Sequence, residues 1–295
     1  MIRKGFHVLV ALGFLIVTFS VFGGFVFAGG SLGPLWQPFE ILMIGGAGVG
    51  AFIAANNGKA IKATFNVTKK LKASTKYNKE VYMELMSLLY KLLNKMRRDG
   101  MLAVERDIEA PDESSIFNEH PIVLEDDMMR DFLTDYLRLM ISGNMDPHEL
   151  DELMLHEIET FETEAHVPAD AIFKVGDAMP AFGIVAAVLG VVKALMTADA
   201  PPDVMGQMIA HALIGTFLGI LMGYGFINPL ASRVERQVAE AVKTLQCIRV
   251  TLLASMGGYA PQLAVEFGRK ALHTVERPSF NELEDHVRGN NQAAE

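Results

Sequence analysis

Residues 204–232 read VMGQMIAHALIGTFLGILMGYGFINPLAS, without one Asp, Glu, Lys or Arg. Crossing a bilayer as a helix takes about 20 consecutive apolar residues, so this stretch is long enough to span. Working outward, formal charge is also absent from Gly5 to Gln37, from Ile41 to Gly58 and from Ala178 to Val192. Length and the absence of charge predict an all-α membrane bundle of four spanning helices. None of the four segments carries a carboxylate in its middle. Ion movement through a membrane normally uses an intramembrane ionisable group, so a chain built for it but lacking one must obtain it from a partner.

The remaining sequence divides by charge. The chain has 295 residues, a hydrophobic fraction of 51% and a formal net charge of −9, with a mean hydropathy of +0.26. From Ala60 to Arg106 there are 11 Lys/Arg against 4 Asp/Glu, and from Asp107 to Asp170 there are 2 against 19. This acidic balance argues against a nucleic-acid binder and is the pattern of a solvated helical surface. The expected organisation is spans one and two in residues 1–58 and a polar helical domain in 59–170. Spans three and four follow in 171–232, and a helical tail in 233–295.

Chemistry-bearing motifs are scarce. Cys247 is the sole cysteine, fitting a reduced compartment and a buried, inert thiol. The sequence has no metal-spaced Cys/His pairs, phosphate loop or nucleophile elbow, and His211 stands alone in an apolar span. No enzyme, metal site or cofactor is therefore expected. The run Phe6–Phe25 is longer than the 7–15-residue core of a cleavable signal, which makes the first span a retained helix.

Basic residues orient the bundle. Arg3 and Lys4 precede span one, and Lys59, Lys62, Lys69, Lys70, Lys72 and Lys76 follow span two. Arg233 and Arg236 follow span four. The loop Gly29–Glu40 has no Lys or Arg and carries Trp36, an interfacial anchor type. The loop after span three has only Lys193, near Asp199 and Asp203. The positive-inside rule then puts both termini and the inserted domain in the cytoplasm. Span three has the shortest uncharged core, so it is expected to be a short helix whose flanking Lys174 and Lys193 snorkel to the interface.

Small residues and prolines mark the packing. Gly215, Gly219 and Gly223 recur every fourth residue and share one helical face, as do Gly46 and Gly50. Such faces serve either helix packing in general or a close-packed subunit ring around a partner helix. Pro180 lies near the cytoplasmic entry of span three and Pro229 near the cytoplasmic exit of span four. Each frees a backbone carbonyl one turn earlier. Antiparallel spans would place the two breaks at one membrane depth, as in a gate.

At these residues the chain resembles the MotA family, the A subunit of the bacterial flagellar motor stator, of its proton-driven type. The likeness is carried by Phe22-Gly23-Gly24, Gly30-Ser31-Leu32-Gly33, Asn56-Asn57-Gly58-Lys59-Ala60, Met179-Pro180-Ala181-Phe182-Gly183 and Gly215-Thr216-Phe217-Leu218-Gly219. The stretches Gly100-Met101-Leu102-Ala103-Val104-Glu105-Arg106-Asp107 and Glu276-Arg277-Pro278-Ser279-Phe280 extend it. The resemblance implies an inner-membrane homopentamer around two copies of a B subunit. That partner has one span bearing a proton-binding Asp and a peptidoglycan-binding domain. It further implies that inward proton flow turns the A ring against a rotor switch-complex protein.

The resemblance assigns rotor contact to Arg97 and Glu105, eight positions apart, with the adjoining Arg98 also a candidate. It makes Pro180 and Pro229 the coupling prolines and sets Thr216 near the ion path, where a hydroxyl bonded to the preceding turn is the plain alternative. Sodium-driven relatives have a threonine seven residues after the first proline, a position held here by Ala187. With no side-chain oxygen there to replace a hydration shell, protons are the expected ion. The competing function is a proton-channel subunit of related complexes serving outer-membrane transport or envelope integrity. Those have three spans and lack the rotor charges.

Overall fold

The computed structural model describes residues 5–70, 77–143, 145–197 and 201–292. Arg3, Lys4, Lys72, Lys76 and Asp199, used above for topology, lie outside the described residues. Every regular element among the described residues is helical. In chain order these are α1 (Gly5–Thr18), α2 (Gly24–Phe27), α3 (Pro38–Ala55), α4 (Gly58–Lys70) and α5 (Lys79–Asp99). After them come α6 (Glu105–Glu109), α7 (Ser115–Asn118), α8 (Pro121–Leu124), α9 (Asp127–Ser142) and α10 (Pro147–Leu195). The last are α11 (Pro202–Ile220), α12 (Asn228–Met256), α13 (Pro261–Ala271) and α14 (Phe280–Gln292). Two π-helical stretches, Phe19–Gly23 and Leu221–Ile227, join α1 to α2 and α11 to α12.

Four helices are long and apolar enough to cross a membrane: Leu9–Phe27, Gly33–Ala55, Pro147–Leu195 and Pro202–Met256. The third is not short. Its apolar core is the last part of the 49-residue α10, which carries Pro168 and Pro180 in its interior. The uncharged run was short because charged residues begin early, and they leave the helix unbroken.

The chain forms two compact units, one from residues 1–74 and 165–236 and the other from 75–164 and 237–295. The charge pattern had set its divisions at residues 58, 170 and 232. The difference arises because α4 joins the apolar unit, while most of the tail shares a unit with the inserted segment. The boundary at Glu164 falls where Pro168, lacking an N–H, leaves that residue's carbonyl without its helical donor.

In the apolar unit the core is thin and the outside is greasy. Ile44 of α3 packs with Met179 and Ala186 of α10 and with Ile214 and Leu218 of α11. Phe22 meets Phe217 edge-on at 6.1 Å, and Phe14 meets Phe226 at 5.2 Å. Leu15, Phe19, Leu42 and Leu213 are each more than 60% exposed. A soluble unit would bury such residues, whereas lipid accepts them without cost.

The second unit has the opposite distribution. Leu85, Leu88, Leu89 and Leu92 of α5 are buried together with Phe117, Val123 and Tyr136. Asn78 caps α5 by accepting a hydrogen bond from the Val81 N–H at 3.0 Å, and Asp126 caps α9 through the Met129 N–H at 3.3 Å. Helix α5 stops at Gly100 and α9 at Gly143, whose φ values of 93° and 67° suit glycine.

Candidate functional site

The α10–α11 contact is built from absent side chains. A Cβ on Gly183 would lie 2.7 Å from the Gly215 carbonyl oxygen, and one on Gly219 would lie 2.5 Å from that of Met179. A Cβ on Gly215 would stand 3.1 Å from the Ala186 Cβ. Gly215, Gly219 and Gly223 therefore pack the third span against the fourth within one chain, the helix-packing alternative of the two raised by their spacing.

The same contact absorbs the break at Pro180. Pro180 offers no N–H to the Gly176 carbonyl, and the bare Cα of Gly223 sits where a side chain would strike that oxygen. One turn nearer the other end, Asn228 Nδ2 donates to Asp177 Oδ1 at 2.9 Å. Gly176 leaves the space that the Asn228 amide occupies. Since the Asn228 amide reaches Gly176, four residues before Pro180, Pro229 is offset from Pro180 by one turn, about 5.4 Å. The expectation of level prolines is corrected: the glycine register and the π-helical stretch before Asn228 set the offset. The signal missed in sequence was Asn228 itself, a polar amide beside a proline in a charge-free run.

Thr216 and Ala187 both lie on this seam. The Thr216 Cα abuts Gly183, and the Ala187 backbone nitrogen abuts Gly215. The hydroxyls of Thr18, Thr64 and Thr68 bond to the carbonyl four residues back. Thr216 makes no such bond among the described residues.

The second unit carries the charged candidates. Arg98 grips Asp99 in a fork, Nε and Nη2 each at 2.8 Å, and this hydrogen bonding holds the Asp99 carboxyl below the usual carboxylate range. Arg97 is exposed and has no hydrogen-bond or ion-pair partner among the described residues, and the same is true of Glu105. Their neighbours are engaged. Lys95 pairs with Asp107 at 2.7 Å, Arg138 with Glu109 at 2.6 Å, and Lys91 with Glu119. Gly100 and the 3₁₀ turn Met101–Val104 separate the two free charges, placing Arg97 on the last turn of α5 and Glu105 on the first turn of α6. These are the helix ends that favour a cation and an anion respectively.

Known proteins share this sequence and fold. The family "Motility protein A N-terminal" matches residues 11–100, and the "MotA/TolQ/ExbB proton channel family" matches residues 124–247. Motility protein A of Salmonella typhimurium is 57% identical over 280 residues, covering 95% of each chain. Chemotaxis protein LafT of Vibrio parahaemolyticus is 39% identical, covering 92% of this chain and 96% of its own. The flagellar MotAB stator complex from Bacillus subtilis contains a chain that superposes with a TM-score of 0.73. It is 25% identical and covers 90% of this chain and 97% of its own. A chain of C. jejuni MotAB has the same fold, with a TM-score of 0.76 at 23% identity, covering 92% and 98%. The chain belongs to the motility protein A family.

Proposed function

We propose that this chain is the proton-conducting A subunit of a flagellar stator, a multi-pass inner-membrane protein that works with a B subunit. The observation that carries this reading is that the four candidate spans each overlap a long charge-free run, 5–37, 41–58, 178–192 and 204–232, in which no carboxylate stands. The proton carrier is then an Asp on the partner's single helix, and a peptidoglycan-binding domain anchors that partner. A ring of five copies around it, with both termini and the second unit in the cytoplasm, completes the assembly.

A proton crossing the membrane releases about 2.3 kcal/mol per 100 mV. That suffices to bias a small rotation between packed helices and leaves the folded units intact. The seam of α10 and α11 is where passage is converted to movement, with Pro180 and Pro229 as staggered flexible points and Thr216 facing the path. Ala187 contributes no side-chain oxygen, which supports protons over sodium as the driving ion. Swimming speed that tracked external sodium at fixed pH would overturn that choice.

Arg97 and Glu105 are the rotor contacts, and Arg98 is occupied by Asp99. Exposed charge pairs contribute only about 0–1 kcal/mol each, which suits a surface that must engage and let go at every step. The test is charge reversal in a strain lacking its own stator genes. Arg97→Glu and Glu105→Lys should each abolish most swimming at normal membrane levels, and Arg98→Glu should cost much less. Normal swimming by the first two variants would sink the assignment.

A further inference from the structure

Beside Arg97 the second unit opens a cleft of about 500 Å³, and five of its lining residues are methionines: Met96, Met101, Met140, Met145 and Met256. The methionines come from separate stretches of chain that meet at helix ends. Helices α5, α9 and α12 finish at or just before Gly100, Gly143 and Gly258, each with a positive φ. Met96 and Met140 are buried at the floor, and Met101 at the lip is 42% exposed, next to Leu102 at 68%. Arg97 is the one charged residue lining the cleft, and it has no hydrogen-bond or ion-pair partner among the described residues.

We propose that the cleft and Arg97 form one docking surface for an amphipathic helix of a partner protein, with an apolar side chain seated among the methionines and a carboxylate on Arg97. This deepens the rotor-facing assignment of Arg97 and rests on it. The occupant follows from the chemistry of the surface. An unpaired guanidinium at the rim calls for a carboxylate, and a methionine-lined hollow calls for an aliphatic or aromatic side chain. A helix presents two such side chains three or four residues apart on one face. Methionine is unbranched and polarisable, so it reshapes around a knob that enters and leaves repeatedly. The acidic residue would supply register and approach, and the apolar one would supply grip.

The experiment uses the full chain with its B subunit in a strain lacking its own stator genes, reading torque per stator unit at high load from bead rotation. Ser255 lines the cleft, so Ser255→Phe plugs it. Met101→Ser removes grip at the exposed lip, where it cannot unfold the core. Each variant is expected to lower torque per unit by about two-fold or more while native mass spectrometry finds the oligomer unchanged. In the milder Arg97→Gln background, which keeps measurable torque, each should cost much less, because both changes act on one docking event. Undiminished losses there would overturn the joint site. If Arg97→Glu loses torque while both cleft variants keep it, the cleft is overturned and the rotor assignment stands. If Arg97→Glu keeps torque, the rotor assignment fails and the joint site with it. Loss of the oligomer on plugging would make the cleft a seam between copies of this chain and overturn the proposal.

Discussion

Gly215, Gly219 and Gly223 of the fourth span and Gly45, Gly46 and Gly50 of the second are alike in sequence and opposite in surroundings. A Cβ on any of the first three meets α10 closely, its backbone in every case, whereas a Cβ on any of the second three meets nothing within 4 Å. Spacing reveals that a helix has a bare face, and only the partner helix tells whether that face is already used. In the fourth span the missing side chains let two backbones approach inside one chain. In the second span the same device is left unspent by this chain.

The sharpest way to break the comparison is Gly219→Ala. The new Cβ would face the Met179 carbonyl oxygen at 2.5 Å and the Gly183 Cα at 3.0 Å, and neither is a side chain that can rotate away. Helices α10 and α11 would have to part, at a cost of about 1–3 kcal/mol as for other overpacked cores. Thermal unfolding of the purified chain in detergent should show a clear fall in midpoint. An unchanged midpoint would mean that the α10–α11 approach is looser than the glycines indicate.

How much was legible before the structure follows the same line. The four spans were readable because charge is excluded from lipid-facing helix, and each exclusion leaves a run visible without knowledge of neighbours. The two π-helical stretches were not, since an extra residue in a turn leaves composition untouched. That hidden residue shifts the phase of the fourth span, which is one reason the depths of Pro180 and Pro229 could not be inferred from counting. Pro168 had a plain signal, a proline in a polar helix, that the charge boundary at residue 170 obscured. Among the candidate contacts, the spacing of Arg97 and Glu105 was legible, and the occupation of Arg98 had a local clue in Asp99 next to it. The methionine cleft had none, because Met96, Met140 and Met256 are brought together only where three helices end.

A smaller effect is expected at Gly48, which lies between the two extremes. Its added Cβ would collide with the terminal methyl of Met179 and reach the sulfur at 3.4 Å. A thioether end can swing aside, so Gly48→Ala should cost under about 1 kcal/mol. A drop in unfolding midpoint as large as that of Gly219→Ala would show that Met179 is pinned, and the distinction between backbone and side-chain obstacles would fail.

The last expected change has the opposite sign. Gly46 sits in the interior of α3 with open space where its Cβ would be. Replacing glycine by alanine there removes conformational freedom from the unfolded chain and meets no obstacle, a gain of about 0.5–1 kcal/mol. Gly46→Ala should therefore raise the unfolding midpoint of the purified chain slightly, the reverse of Gly219→Ala. Motility provides the second reading of the same variant. If the face remains open in the working motor, swimming is unchanged or better. If swimming falls while the midpoint rises, another chain covers Gly46, and the bare face of the second span is used between subunits as that of the fourth is used within one.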